Sequence, residues 1–276
     1  MASGDLTRIR TNVAALNALN ALTQINTKLN TVNQRLSSGK RINSAGDDPA
    51  GLTLATTLDV RARRIGAALT NIGDATNVLS IAEGGLNNMN QLLSQMVEKI
   101  ILAASDTQGT QQRNAIQTEL SQLGEEIDNV AAQTQFNGVV LLTATGLTFQ
   151  TGPDGYNTNI FSMGQAFTSA ALGINALTVS TQALASASLG SVSTALTMIA
   201  NSLQAVGASM ERMAVKQDNL GVAKLNMTAA ASRIMYADLA AEQLEASKLQ
   251  ILQQTATAQL AAANAAPESI LQLFRR

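Results

Sequence analysis

Residues 37–52 read SSGKRINSAGDDPAGL, and the Gly39-Lys40 pair within them is the first feature that could do chemistry. A phosphate-binding loop needs Gly, four residues, then Gly-Lys-Ser/Thr, so that backbone N–H groups wrap the phosphates and the hydroxyl reaches magnesium. Here Lys40 is followed by Arg41, Gln34 stands where the first glycine belongs, and the stretch follows a helical pattern, not a strand. The phosphate-loop reading fails on each requirement. Glu125, Glu126 and Asp128 form the densest acidic cluster, but their spacing puts them on the outer side of an apolar helix stripe, as a solvated face. The chain has no His and no Cys. No imidazole can act as a base, no thiolate can attack, and neither an HExxH motif nor a nitrogen-and-sulfur zinc site can be built. No catalytic role and no cofactor are expected. A net charge of −1 gives no pull toward nucleic acid or anionic lipid. No apolar run approaches the ~18 residues of a membrane span, so membrane insertion is not expected. The opening MASGDLTRIRTN lacks the apolar stretch of a secretory signal, which alone argues for the cytoplasm.

The same residues make sense as a joint between helices. Ser37, Ser38 and Gly39 end one helical stripe, and Asp48-Pro49 opens the next with an N-cap and a proline at the first helical position. Upstream, Ile9, Val13, Leu16, Leu19, Leu22, Ile25, Leu29, Val32 and Leu36 form a narrow apolar stripe. Downstream, Leu58, Ile65, Leu69, Ile72, Leu79, Leu86, Met89, Leu93, Met96 and Ile100 fall three, four or seven apart. Ile116, Leu120, Leu123, Ile127 and Val130 do the same, as do Val192, Leu196, Ile199, Leu203, Val206, Met210, Met213, Leu220 and Met227. Such spacing predicts a coiled-coil bundle. Apolar residues are 46% of the chain but aromatics only 3%, which suits Ala- and Leu-rich helices meeting at close range. A last segment from about Ile234 to Phe274 is a weaker stripe, with Leu239, Leu249, Leu252 and Leu260 set among alanines. A lone helix with so narrow a stripe is marginal in water, so both ends look built to find partners.

Between Asn137 and about Leu177 the period changes. NGVVLLT, GLTFQ and TNIFSM are short β-prone runs, and TGPDGYN between the last two carries a Pro-Asp-Gly reversal. This predicts a small β-hairpin region at one end of the bundle. From there to Ser193 the chain is rich in Ser, Thr, Ala and Gly, first as a loop and then as a weak helix start.

RLSSGKRINSAGDDPAGL, QTQFNG at 133–138, and SRI…YADLAAE…ILQQTATAQLAAAN…ILQLFRR near the end resemble bacterial flagellin. FQTGPDG is similar to that family's β-hairpin. The resemblance covers both terminal regions in the right order. It implies a mainly α fold: a long-helix coiled-coil bundle with a β-hairpin region, plus paired terminal helices forming an inner tube. The inner tube would take residues 1–43 and 234–276, and the bundle 44–233, with the hairpin region at about 137–177. It implies an extracellular filament subunit that self-assembles for swimming, exported unfolded by the flagellar type III apparatus, so that the missing signal no longer argues for the cytoplasm. The implied partners are many copies of itself, hook-associated and cap proteins, and an export chaperone. The implied inner-tube contacts are Ile9, Val13, Leu16, Leu22, Ile25, Leu29, Val32 and Leu36 with Leu239, Leu249, Leu252 and Leu260, and the interdomain joint is Gly39, Arg41, Asp48 and Pro49. Fewer than about 60 residues separate QTQFNG from the returning helix, less than a typical domain, so this is a minimal form. The hook–filament junction protein is the alternative, since it resembles flagellin at both ends. The Ser and Thr residues between Thr168 and Ser193 are where the family's outer-face sugars would fall. In many flagellins a Gln-Arg-x-Arg-Glu-Leu stretch is read by an innate immune receptor; here it falls on Ser94, Gln95, Met96, Val97, Glu98 and Lys99, and only the Glu matches.

Overall fold

The computed structural model describes residues 11–142, 146–155, 158–161 and 166–273. The described residues form five helices: α1 (Val13–Ser38), α2 (Pro49–Ala103), α3 (Thr110–Gln133), α4 (Gln182–Met235) and α5 (Leu239–Leu273). Four short strands lie between α3 and α4: β1 (Gln135–Phe136), β2 (Val139–Val140), β3 (Leu147–Gln150) and β4 (Thr158–Phe161). The chain divides into two compact units, Met1–Val60 with Asn226–Arg276, and Arg61–Leu225.

The second unit is the bundle. On α2 the buried seam runs Ile65, Ala68, Ile72, Ala75, Leu79, Ala82, Leu86, Met89, Leu93, Met96, Ile100 and Ala103, alternating steps of three and four without a slip. A strict alternation of this kind keeps one seam facing its partners in a left-handed supercoil. The seam differs from the expected one in its small residues, since Ala68 occupies the buried position and Leu69 flanks it. On α4 the offset is the same. Ala185, Ser188, Val192, Ala195, Ile199, Ser202 and Val206 are buried, whereas Leu196 and Leu203 pack at the edge. Alternating small and branched residues let the helix backbones approach closely, and Ser202 satisfies its hydroxyl on the Met198 carbonyl at 3.0 Å. From α3 come Leu120, Gly124, Ile127 and Ala131.

Side-chain ties fix the directions. Arg113 at the start of α3 donates to the carbonyls of Ala103 (3.0 Å) and Ser105 (3.1 Å), filling acceptors that the end of α2 leaves open. Gln117 holds the loop before α4 at both ends of its amide, donating to the Leu177 carbonyl (2.7 Å) and accepting from the Val179 N–H (2.9 Å). Asp128 accepts from the Ser169 N–H and hydroxyl, both at 2.7 Å. Asp128 is therefore not part of a solvated outer face: it pins a loop that periodicity cannot see. Ser169 and Ser188 are buried in these ties, which removes both from any set of sugar acceptors.

The β region also departs from expectation. The first hairpin begins before Asn137, with Phe136 opposite Val139 and Asn137-Gly138 as its two-residue turn. Both turn residues have positive φ (49° and 79°), the geometry of the tight turn that Asn-Gly favours. Among the described residues of NGVVLLT, Val139–Val140 form a strand, while Leu141 and Leu142 drop into the core. Gly85 on α2 makes room for this: a Cβ there would sit 2.8 Å from the Thr134 methyl group. The second hairpin pairs Leu147 with Phe161 and Gln150 with Thr158. It is tied to the bundle by Asn71 donating to the Gln150 carbonyl (3.0 Å) and by Lys216 donating to the Thr151 hydroxyl (2.9 Å).

Candidate assembly surface and helix joint

In the first unit α1 and α5 run antiparallel, as three ties along their length show. Asn12 pairs with Ala263, Asn26 with Gln253 (2.7 Å), and Arg35 with Glu242 (3.3 Å). The apolar contact between them is thin. Val32, Ala246 and Leu249 are buried, and Ile25, Leu29 and Leu36 are half-buried against them. Leu22 and Leu260 are half-buried, whereas Val13, Leu16, Leu239 and Leu252 are exposed. Ile9 lies outside the described residues. The structure therefore brings the middle of the expected set together and leaves its ends open. Leu19 at 47%, Leu244 at 71% and Ile251 at 64% exposure enlarge that open apolar area. A pair that buries one strip and exposes most of its remaining apolar side chains has the surface of a component, not of a finished domain.

One tie has a specific cause. Pro267 lies within α5 and has no N–H, so the Ala263 carbonyl four residues earlier loses its helical partner. The Asn12 side-chain amide donates to that carbonyl at 2.7 Å. The same residue's Oδ1 accepts from the Ala15 N–H at 3.0 Å and caps α1. Asn12 thus satisfies one orphan group on each helix.

At the other end of the pair, Gly39 ends α1 with φ of 69° and its N–H on the Arg35 carbonyl at 2.8 Å. The chain then runs beside the turn between α4 and α5. Lys40 and Tyr236 form an antiparallel bridge, flanked by Arg41 N–H to Met235 (2.7 Å) and Ala237 N–H to Gly39 (3.0 Å). The Arg41 guanidinium donates twice to the Ile234 carbonyl, at 2.9 and 3.2 Å, where the C-terminal dipole of α4 favours a cation. Its Nη2 also lies 3.8 Å from Asp48. Asp48 caps α2 through the Gly51 N–H at 2.8 Å, with Pro49 as the first helical residue. The adjacent Asp47 accepts from the N–H groups of Asn43 and Ser44, both at 2.9 Å. Those bonds, the Ser44 one foremost, hold its carboxyl below the usual aspartate range. Ile42, only 1% exposed, is the apolar plug of the turn, and a Cβ at Gly51 would come within 2.9 Å of its Cδ1.

Gly39, Arg41, Asp48 and Pro49 lie in one turn, and the other half of that turn is the Ile234–Ala237 stretch, which helical periodicity does not mark. The last segment is not continuous from Ile234: α4 runs on to Met235, the chain turns at Tyr236–Asp238, and Asp238 caps α5 through the N–H groups of Ala240 and Ala241. The cap signal was present in YADLAAE, an Asp ahead of an Ala-rich run with an acid in its first turn. Of the positions where the resemblance puts the family's receptor stretch, Ser94, Gln95 and Glu98 are exposed on α2 and Met96 is buried in the seam. Val97 packs against the core, and Lys99 pairs with Glu119 at 2.9 Å.

Two family profiles match this chain: the bacterial flagellin N-terminal helical region over residues 9–146, and the bacterial flagellin C-terminal helical region over 189–274. The chain belongs to the bacterial flagellin family. It is 34% identical to flagellin of Bacillus subtilis over 97% of this chain and all of that one. It is 31% identical to flagellin FlaB1 of Treponema pallidum over 97% and 99%. A solved flagellar hook-associated protein from Vibrio parahaemolyticus superposes with a TM-score of 0.58, covering 69% of this chain and all of that one, at 15% identity. That likeness shows the fold alone. As a flagellin this chain is a short form: among the described residues, two hairpins and one pinned loop stand between α3 and α4.

Proposed function

We infer that this flagellin is the repeating subunit of an extracellular bacterial flagellar filament. Its role is structural, carried by self-assembly and not by catalysis. The observation that carries the reading is the α1–α5 pair, which buries only Val32, Ala246 and Leu249 and leaves Leu16, Leu19, Leu244, Ile251 and Leu252 open. Copies of the chain are the natural cover for such a surface in a family named for the filament protein. The pair forms the inner tube, with residues 1–43 and 234–276 as its core, and Gly39, Arg41, Asp48 and Pro49 join it to the bundle of 44–233. The compact unit is somewhat wider than that tube, since it takes in Val60 and Asn226. Hook-associated and cap proteins at the filament ends, an export chaperone and the type III apparatus are the further partners of this reading.

The test is polymerisation. The purified chain should form filaments visible by negative stain, and Leu252→Asp should abolish them while leaving the bundle helical by circular dichroism. Burying a Leu contributes about 1.5–3 kcal/mol, and a charge in its place reverses the sign. Normal filaments from Leu252→Asp would sink the assignment. Copy number on isolated filaments separates a filament subunit, present in thousands, from a junction protein confined to one ring.

A further inference from the structure

The Asn137-Gly138 turn carries backbone chemistry of its own. An asparagine loses ammonia when the next backbone nitrogen attacks its side-chain carbonyl carbon, and glycine, with no Cβ, hinders that attack least. Asn-Gly occurs once in the chain, at 137–138. The turn leaves both reacting groups idle. Asn137 is exposed, and among the described residues its side-chain amide makes no hydrogen bond. The Gly138 N–H makes no backbone hydrogen bond among the described residues. A Cβ at Gly138 would meet nothing within 4 Å, so water reaches the reacting bond.

The hairpin around this turn is small. Strands β1 and β2 have two residues each, paired as Gln135 with Val140 and Phe136 with Val139. Ring closure requires the turn to open locally, and so short a hairpin opens at low cost. The core below it is spared, because the Leu141 N–H holds the Thr134 carbonyl at 2.9 Å and Leu142 is buried. The less hindered of the other asparagines are better guarded. Asn-Ser occurs at 43–44 and 201–202. Asn43 donates its amide to the Lys40 carbonyl at 3.1 Å, and the Ser44 N–H is held by the Asp47 carboxylate at 2.9 Å. Asn201 lies inside α4, whose hydrogen-bond ladder engages the Ser202 N–H.

We propose that Asn137 is a site of spontaneous deamidation that converts the β1–β2 turn to isoaspartate. Hydroxide takes the Gly138 amide proton and the nitrogen bonds to Asn137 Cγ. The Cγ–Nδ2 bond breaks and ammonia leaves, closing a succinimide ring. Water then opens the ring at either carbonyl, giving aspartate or isoaspartate; no oxidant or cofactor is consumed. Isoaspartate lengthens the backbone by one carbon and adds a negative charge, so a two-residue turn no longer closes Phe136 onto Val139.

The test ages the folded full-length chain in mildly alkaline buffer and follows its chymotryptic peptides by mass spectrometry. The peptide holding Asn137 should gain the mass of an amide-to-acid exchange ahead of every other asparagine. Its rate should rise in proportion to hydroxide, with isoaspartate the larger product. An isoaspartyl methyltransferase should label the aged chain. Asn137→Gly, which keeps the turn as Gly-Gly, should remain helical by circular dichroism and lose most of that label. Asn137 ageing no faster than Asn43 or Asn201 would overturn the proposal. So would aspartate without isoaspartate, which is direct hydrolysis with no ring. A folded chain that keeps Asn137 intact while the denatured chain loses it would also overturn it, since the turn would then be a lock. None of these outcomes bears on the filament reading.

Discussion

The Asn12–Ala263–Pro267 arrangement yields a prediction that separates two roles of one side chain. Asn12→Ala loses the cap on α1, about 1 kcal/mol, and the bond to the Ala263 carbonyl, about 1 kcal/mol more. Asn12→Asp keeps an oxygen to accept from Ala15 but has no N–H to donate across to α5. It should cost about 1–2 kcal/mol, because an anion then faces a carbonyl oxygen without a donor. Pro267→Ala supplies the missing N–H from within α5, so in that background the Ala263 carbonyl no longer depends on Asn12. The double-mutant cycle between Asn12→Asp and Pro267→Ala should therefore show a coupling of about 0.5–1 kcal/mol. Proline's own effect on helix stability cancels in the cycle. The measurement is amide hydrogen exchange across the first turns of α1 in assembled filaments, where a loss of about 1 kcal/mol lowers protection roughly fivefold. A coupling of zero would refute the reasoning, and would mean that Ala263 finds its partner elsewhere.

Three further outcomes are expected. Limited proteolysis of the free chain should leave a core near residues 45–233, because the α1–α5 pair buries so little; equal protection of the termini in free and assembled states would contradict this. Asp47 has a depressed carboxyl, so it contributes stability above the ordinary aspartate value of about 3.9, and that contribution is lost as pH falls through the lower folded value. Asp47→Asn should flatten the part of the acid titration below about pH 3.9 and leave neutral pH nearly unchanged; acid profiles that superimpose would dismiss the role given to the Asn43 and Ser44 bonds. This flagellin should activate the host flagellin receptor weakly, and Gln95→Arg, Val97→Arg and Lys99→Leu together should raise the response in a reporter-cell titration. Val97 packs against the core and Lys99 holds Glu119, so the triple variant is also expected to lose stability, by about 1 kcal/mol or more.

Long-range order in this molecule was legible wherever it followed from local periodicity. Met89, Leu93, Met96 and Ile100 stand in the seam where their spacing put them, because burial and the heptad are one signal. At Ala68, Ala195 and Ser202 the seam lies one position away from where hydrophobicity predicts it. Hydrophobicity favours Leu69, Leu196 and Leu203, but Ala68, Ala195 and Ser202 take the seam positions, where small residues alternate with large ones and let the backbones approach. The same preference for large apolar residues governs the expectation for the terminal helices. Val13, Leu16, Leu239 and Leu252 were expected at an interface, and in the single chain they are open.

What the sequence hid were polar contacts across long separations. Arg41 finds Ile234, Asn12 finds Ala263, and Asp128 finds Ser169, each by satisfying a backbone group that secondary structure leaves over. Such contacts have no period. They become predictable only when one asks which carbonyls and N–H groups the helices must orphan, and Pro267 shows that the question has a local answer: a proline inside a helix names the carbonyl four residues before it. Applied at Met235, where α4 must end ahead of the Asp238 cap, the same accounting calls for a cation near the last carbonyls of α4. Arg41 supplies it from the other end of the chain. The SSGKRINSAGDD stretch is thus half of a clasp whose other half is IMYAD, and the Arg41 guanidinium is there for a backbone oxygen, not for phosphate.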